Sequence, residues 1–156
     1  DYVTKPVVPK ELAARIRALL RRVHLHEATS STSSTRFGDL ELHYSVVNTT
    51  FLAPEVAAAY NLTRAKNRAI INLSLRRHVD NGTEAVPMKL RGATADLMQR
   101  QQMLEFQEIR ESGAIYYIAS FKFINEDWHR FDIDFLPEGA ERSSPFSFKQ
   151  QMYFDE

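Results

Sequence analysis

The sequence contains no cysteine, which excludes disulfides, cysteine nucleophiles and thiolate metal sites. It carries no net charge, since 20 Lys and Arg balance 20 Asp and Glu. No apolar run approaches the length of a membrane span, so no integral membrane segment is expected. The chain opens on Asp1-Tyr2-Val3, with neither a start methionine nor a signal peptide, and is expected to be a fragment. There is no Gly-x-Ser-x-Gly turn for a serine nucleophile. After residue 60 no amphipathic stretch is long enough to be the recognition helix of a winged DNA-binding fold.

What is present suits a soluble globular domain: 156 residues, 44% hydrophobic and 26% charged. Ten Phe, six Tyr and one Trp favour strands and a sheet core. The charge is uneven along the chain. Residues 1–35 hold six Lys/Arg against three Asp/Glu, while residues 36–156 hold fourteen against seventeen. The larger piece lacks a basic excess, so a nucleic-acid partner is not expected.

Residues 1–26 read as one unit. Asp1 to Pro6 is a short β-prone run. From Pro9 to Val23, Leu12, Ile16, Leu19, Leu20 and Val23 form one apolar stripe of a helix. These residues, Asp-Tyr-Val-Thr-Lys-Pro and then Pro-Lys-Glu-Leu-Ala-Ala-Arg-Ile-Arg-Ala-Leu-Leu-Arg-Arg, resemble the end of the receiver domain of OmpR-type response regulators. The resemblance implies that Lys5, followed by Pro6, is a remnant of the switch lysine that contacts a phosphorylated aspartate. About four-fifths of such a receiver is absent from the chain, so no phosphorelay activity is expected. The stripe of Leu12, Ile16 and Leu19 is the expected route to weak self-association. Residues 27–35, rich in Ser and Thr, read as a flexible linker.

From Arg36 the hydrophobic period changes to two. Alternation at Leu40–Val46, Ile71–Leu75, Val86–Leu90, Leu104–Phe106, Phe131–Phe135 and Phe146–Phe154 predicts half-buried antiparallel strands. Ala114–Ile124 is apolar on both faces and predicts a central strand. Turn signals separate the runs, among them Asn81-Gly82, which suits a tight hairpin. Pro54–Tyr60 predicts a short helix, with proline and an acidic residue at its start. The expected fold is mainly β: a seven-stranded antiparallel immunoglobulin-like β-sandwich over residues 36–156, with one short inserted helix. Phe37–Tyr44, Asn48–Val56, Leu104–Arg110 and Ala114–Ala119 resemble the bacterial domain-of-unknown-function family numbered 4426. That resemblance implies a small exported protein, periplasmic and without established activity, substrate or cofactor; translated as it stands, the chain would be cytoplasmic. Arg36–Leu42 fits both families, which places the junction between Thr35 and His43.

No catalytic, cofactor-binding or metal-ligating set is expected. Asp132 and Asp134 share one strand face, with Arg130 as counter-charge. Asp80–Glu84 lacks the later bidentate acid of a calcium loop. His129 alternates with the apolar face and is expected to be partly buried. Trp128 is a candidate partner anchor. Asn48, Thr49, Thr50 and Phe51, in a polar loop leading into the helix, complete the candidate binding surface with Trp128 and His129. The expected function is a non-catalytic binding or structural module of a bacterial envelope protein, with an unknown protein or small ligand as partner. The alternatives are an output or regulatory portion of a two-component regulator, and a hydrolase with an unrecognised site.

Overall fold

The computed structural model describes residues 33–111 and 113–154. Lys5, Pro6 and the Leu12, Ile16, Leu19 stripe therefore lie outside the described residues. Among the described residues ten strands and one short α-helix follow in order: β1 Ser33–Phe37, β2 Leu40–Asn48, α1 Pro54–Ala59, β3 Arg68–Val79, β4 Gly82–Ala85, β5 Met88–Ala95, β6 Gln101–Leu104, β7 Gln107–Glu111, β8 Ala114–Lys122, β9 Trp128–Pro137 and β10 Ser144–Gln151. A 3-10 turn at Thr49–Phe51 precedes α1. All the pairings are antiparallel. One sheet runs β1-β2-β3-β8-β7 with β4 added on β3, and the other runs β10-β9-β5-β6.

Ten strands stand where alternation predicts seven, and each difference has a physical cause. β1 takes Ser33–Thr35 from the Ser/Thr-rich stretch and pairs them with Leu42–Tyr44, because a polar strand needs only a partner backbone. β4 is a short hairpin arm with no apolar face of its own. Its turn residues are Asp80 and Asn81, and the positive φ falls on Gly82 at +137°, a conformation that suits glycine. The run at Leu104–Phe106 is two strands: β6 ends at Leu104 in one sheet and β7 starts at Gln107 in the other.

The two sheets pack face to face over one core. Leu42, Leu73, Leu75 and Phe121 come from the first sheet, and Phe131, Ile133 and Phe135 from the second. Phe131 stacks on Phe148 at 4.7 Å, and Phe37 meets Phe135 edge-on at 5.0 Å. β5 approaches β9 closely at Gly92, where a Cβ would meet Ile133 Cδ1 at 2.6 Å. Strand β8 lies between β3 and β7 and is covered on both sides. Tyr117 and Phe121 face the shared core, while Ile118 joins Val56, Ala57 and Leu52 of the α1 region in a second cluster. Burying Ile118 contributes roughly 1.5–3 kcal/mol. No helix among the described residues is long and apolar enough to cross a membrane.

Candidate functional site

Strand β9 alternates strictly from its first residue: Trp128, Arg130, Asp132 and Asp134 are exposed, and His129, Phe131, Ile133 and Phe135 are buried. The same parity that builds the core thus carries an imidazole into it. His129 is 1% exposed, with its ring 5.2 Å from that of Phe121. Its Nδ1 lies 2.9 Å from Thr94 Oγ1 on β5. Thr94 has one hydroxyl proton, and it donates that proton to the Arg130 carbonyl at 3.0 Å. Thr94 Oγ1 can then only accept from His129, so Nδ1 carries the hydrogen and Nε2 is a bare lone pair. Nε2 is buried and has no hydrogen-bond partner among the described residues. Burial holds the imidazole below its ordinary pKa, against the opposing pull of Asp127 and Asp96. His129 is thus a neutral, oriented acceptor.

A groove of about 460 Å³ opens at this end of the second sheet, lined by Ala95, Asp96, Leu97, Gln99, Trp128, His129, Arg130 and Lys149. The register places Ala95, Arg130 and Lys149 in one row across β5, β9 and β10. Trp128 is 43% exposed and Leu97 65%. Arg130 Nε donates to Asp132 at 3.0 Å, whereas Lys149 is exposed. One wall is a loop organised by Asp96. Its Oδ1 accepts from the backbone N–H groups of Met98 and Arg100, and its Oδ2 from Arg100 Nε at 2.8 Å. Burial pushes the Asp96 carboxyl upward, but these hydrogen bonds and the Arg100 charge outweigh it and leave its pKa low.

The structure separates the sequence-expected surface into two parts. Trp128 and His129 line the groove, and residues 48–51 do not. Thr49 is fully buried and acts as a staple. Its Oγ1 lies 3.0 Å from the carbonyls of Ala65 and Arg68, and it accepts from Ala65 N–H at 3.0 Å. Asn48 donates to the Tyr153 carbonyl at 2.8 Å, and the Thr50 carbonyl accepts from Arg64. Phe51 remains 37% exposed. Sequence reasoning missed Thr94, the Asp96 loop and Lys149. The available signal was a threonine on the inward parity of β5, after Met88, Leu90 and Gly92.

The remaining titratable groups sit elsewhere. On β2 and β3, His78 Nε2 lies 2.8 Å and His43 Nε2 3.8 Å from the Glu41 carboxylate. Hydrogen bonds from Ser34 and then His78 lower the Glu41 pKa. Tyr117 donates to Glu108 at 2.9 Å and accepts from Met88 N–H at 3.0 Å. Among the described residues no three His, Asp or Glu side chains converge as a metal site.

Comparison with known proteins agrees with this architecture. Residues 34–155 match the family described as "Domain of unknown function (DUF4426)". The chain is 34% identical to a DUF4426 family protein from Pseudomonas aeruginosa PAO1, with a TM-score of 0.70 over 81% of this chain and 98% of that one. It resembles FetP of uropathogenic Escherichia coli strain F11, recombinantly expressed in the periplasm, in fold alone. The TM-score there is 0.59 at 11% identity, over 80% of this chain and 95% of that one. A copper-bound FetP variant gives a TM-score of 0.56 at 11% identity, over 81% of this chain and 92% of that one. Separately, 44 residues are 52% identical to the probable transcriptional regulator ycf27 of Cyanophora paradoxa, covering 28% of this chain and 18% of that protein. With the family matched across both sheets, the chain belongs to DUF4426, a domain of unknown function.

Proposed function

We propose that the β domain is a non-catalytic binding module of the bacterial envelope, taking a small organic ligand in the Trp128 groove. The observation that carries this reading is the exposed Trp128 set with Arg130 and Lys149 along one groove. The groove volume suits small-molecule sites, which span roughly 300–1,000 Å³. An immunoglobulin-like scaffold is supported by strand order. β2-β3-β8-β7 beside β10-β9-β5-β6 follows the A-B-E-D and G-F-C-C′ sheets of that architecture, with β1 and β4 as additions. The envelope location is supported by the family resemblance and by the fold shared with FetP. Copper binding is not carried over from FetP, because the described residues offer no converging set of ligands.

A thermal-shift screen of small organic ligands tests the proposal. At least one compound should raise Tm, and the rise should vanish in Trp128→Ala. A rise that survives that substitution unchanged, or a turnover lost with His129, would sink it. A second reading, a regulatory portion of a two-component protein, rests on the 44-residue match alone. A receiver encoded upstream in the same reading frame would support it.

A further inference from the structure

We infer that the Trp128 groove takes a small organic anion, a carboxylate carried on an apolar body the size of a single ring. This rests on the reading of the groove as a binding site and adds the charge and shape of its ligand. Every group it uses stands on the outer face of the second sheet. Trp128 and Arg130 are two residues apart on β9 and both are exposed, on the parity opposite to core-facing Phe131. Lys149 lies directly opposite Arg130 on β10 and is exposed. Ala95 opposes Arg130 from β5, and its small side chain leaves room for the groove between β9 and the Asp96 loop.

The charges decide the class of ligand. Two cations face each other across a strand pair, an arrangement that disfavours itself. Arg130 gives its Nε to Asp132, and its Nη nitrogens have no acceptor among the described residues. Lys149 bonds to none of the described residues. Asp96, the one carboxylate among the lining residues, does not answer them. Both its oxygens are occupied within its own loop, by the Met98 and Arg100 N–H groups and by Arg100 Nε. A carboxylate in the groove would accept from Lys149 and Arg130 in charge-assisted hydrogen bonds. Trp128 supplies the other half: it is 43% exposed, and Leu97 on the groove wall 65%, so covering them favours an apolar body. An inorganic anion would satisfy the cations and leave the indole wet. A neutral compound would cover the indole and leave both cations to water. Cations this exposed are screened by salt, so the preference for an anion is salt-dependent.

The chain has a single tryptophan, so its emission reports on this groove. The full chain is titrated with 3-phenylpropionate and cyclohexanecarboxylate, each beside its primary amide, which keeps the shape and removes the charge. Sodium phosphate serves as the anion without an apolar body. The expected result is a saturable emission change with at least one carboxylate, at least fivefold tighter than with its amide at low salt. That gap should close to under twofold in 0.5 M sodium chloride. Lys149→Gln, an exposed substitution, should weaken the carboxylate at least threefold and leave the amide unchanged. Amides that bind as tightly as the carboxylates overturn the anion and leave the groove standing as a binding site. Silence from both carboxylates overturns the inference, and the groove itself is then judged by the thermal-shift screen. Saturation by phosphate overturns the need for an apolar body. A carboxylate preference that survives unchanged in Lys149→Gln also overturns the inference, because the anion is then held elsewhere.

Discussion

Thr49 and His129 are both buried polar side chains at the margins of the sheets, and they are treated in opposite ways. Thr49 is engaged both as donor and as acceptor, by Ala65 and Arg68. His129 has one nitrogen satisfied by Thr94 and the other left bare. A saturated buried group holds a loop in place and has nothing to offer a partner. A half-satisfied one adds nothing comparable to stability and leaves an acceptor without a donor inside the core. The surroundings follow the same division: the outer face near Thr49 is sealed by α1, while the end near His129 opens into the groove.

The comparison can be broken or sharpened by substitution. The largest effect is expected from Ile118→Ala, which hollows the cluster under α1. It should cost about 2–5 kcal/mol in denaturant unfolding and leave the emission of Trp128 in the folded state unchanged. Thr49→Val should cost about 1–3 kcal/mol, because Ala65 N–H loses its acceptor and the Ala65 and Arg68 carbonyls lose the one hydroxyl proton they share. A loss no larger than that of an exposed substitution would erase the contrast with His129. His129→Phe should change stability at pH 7.5 by less than about 1 kcal/mol, since it removes an orphan as well as a bond. Its signature is pH dependence. Burial lowers the His129 pKa in the folded state, so the unfolded chain binds the proton more readily. The stability this contributes is complete above the unfolded value, about 6.5, and is lost as pH falls toward the lower folded one. The native chain should therefore lose Tm between pH 7.5 and 5.5, and His129→Phe should lose less. His43, also lowered by burial, contributes in the same direction, so the difference between the two profiles is the measure.

Much of this contrast was legible in the sequence, and what was not has a common cause. Alternation located β2, β3, β5, β9 and β10 because each sets apolar residues against the core on one parity, and β8 was marked by apolar residues on both faces. It carried His129 inward for the same reason. It merged β6 with β7 because Leu104 and Phe106 keep the period while the chain changes sheets, and sheet membership leaves no mark on a local pattern. It passed over β1 and β4 because strands at the margins can be polar. The Asn48–Phe51 loop looked like a free polar surface, but Thr49 is consumed by residues 16 and 19 positions onward. The bare nitrogen of His129 depends on Thr94, 35 positions away, and on that hydroxyl's second bond. Neither distance is visible in composition. Lys5, Pro6 and the N-terminal stripe lie outside the described residues.

The crossing at Glu105-Phe106 has a mechanical meaning. Two residues separate a strand of the groove-bearing sheet from a strand under α1, and Gln102 clasps the backbone of Lys122 on β8 with both ends of its amide. A tether that short, with a second fastening beside it, leaves little slack. Displacement of the Asp96 loop by a bound ligand would pull β6 against β8 and β7, so the covered face would register what happens in the open groove.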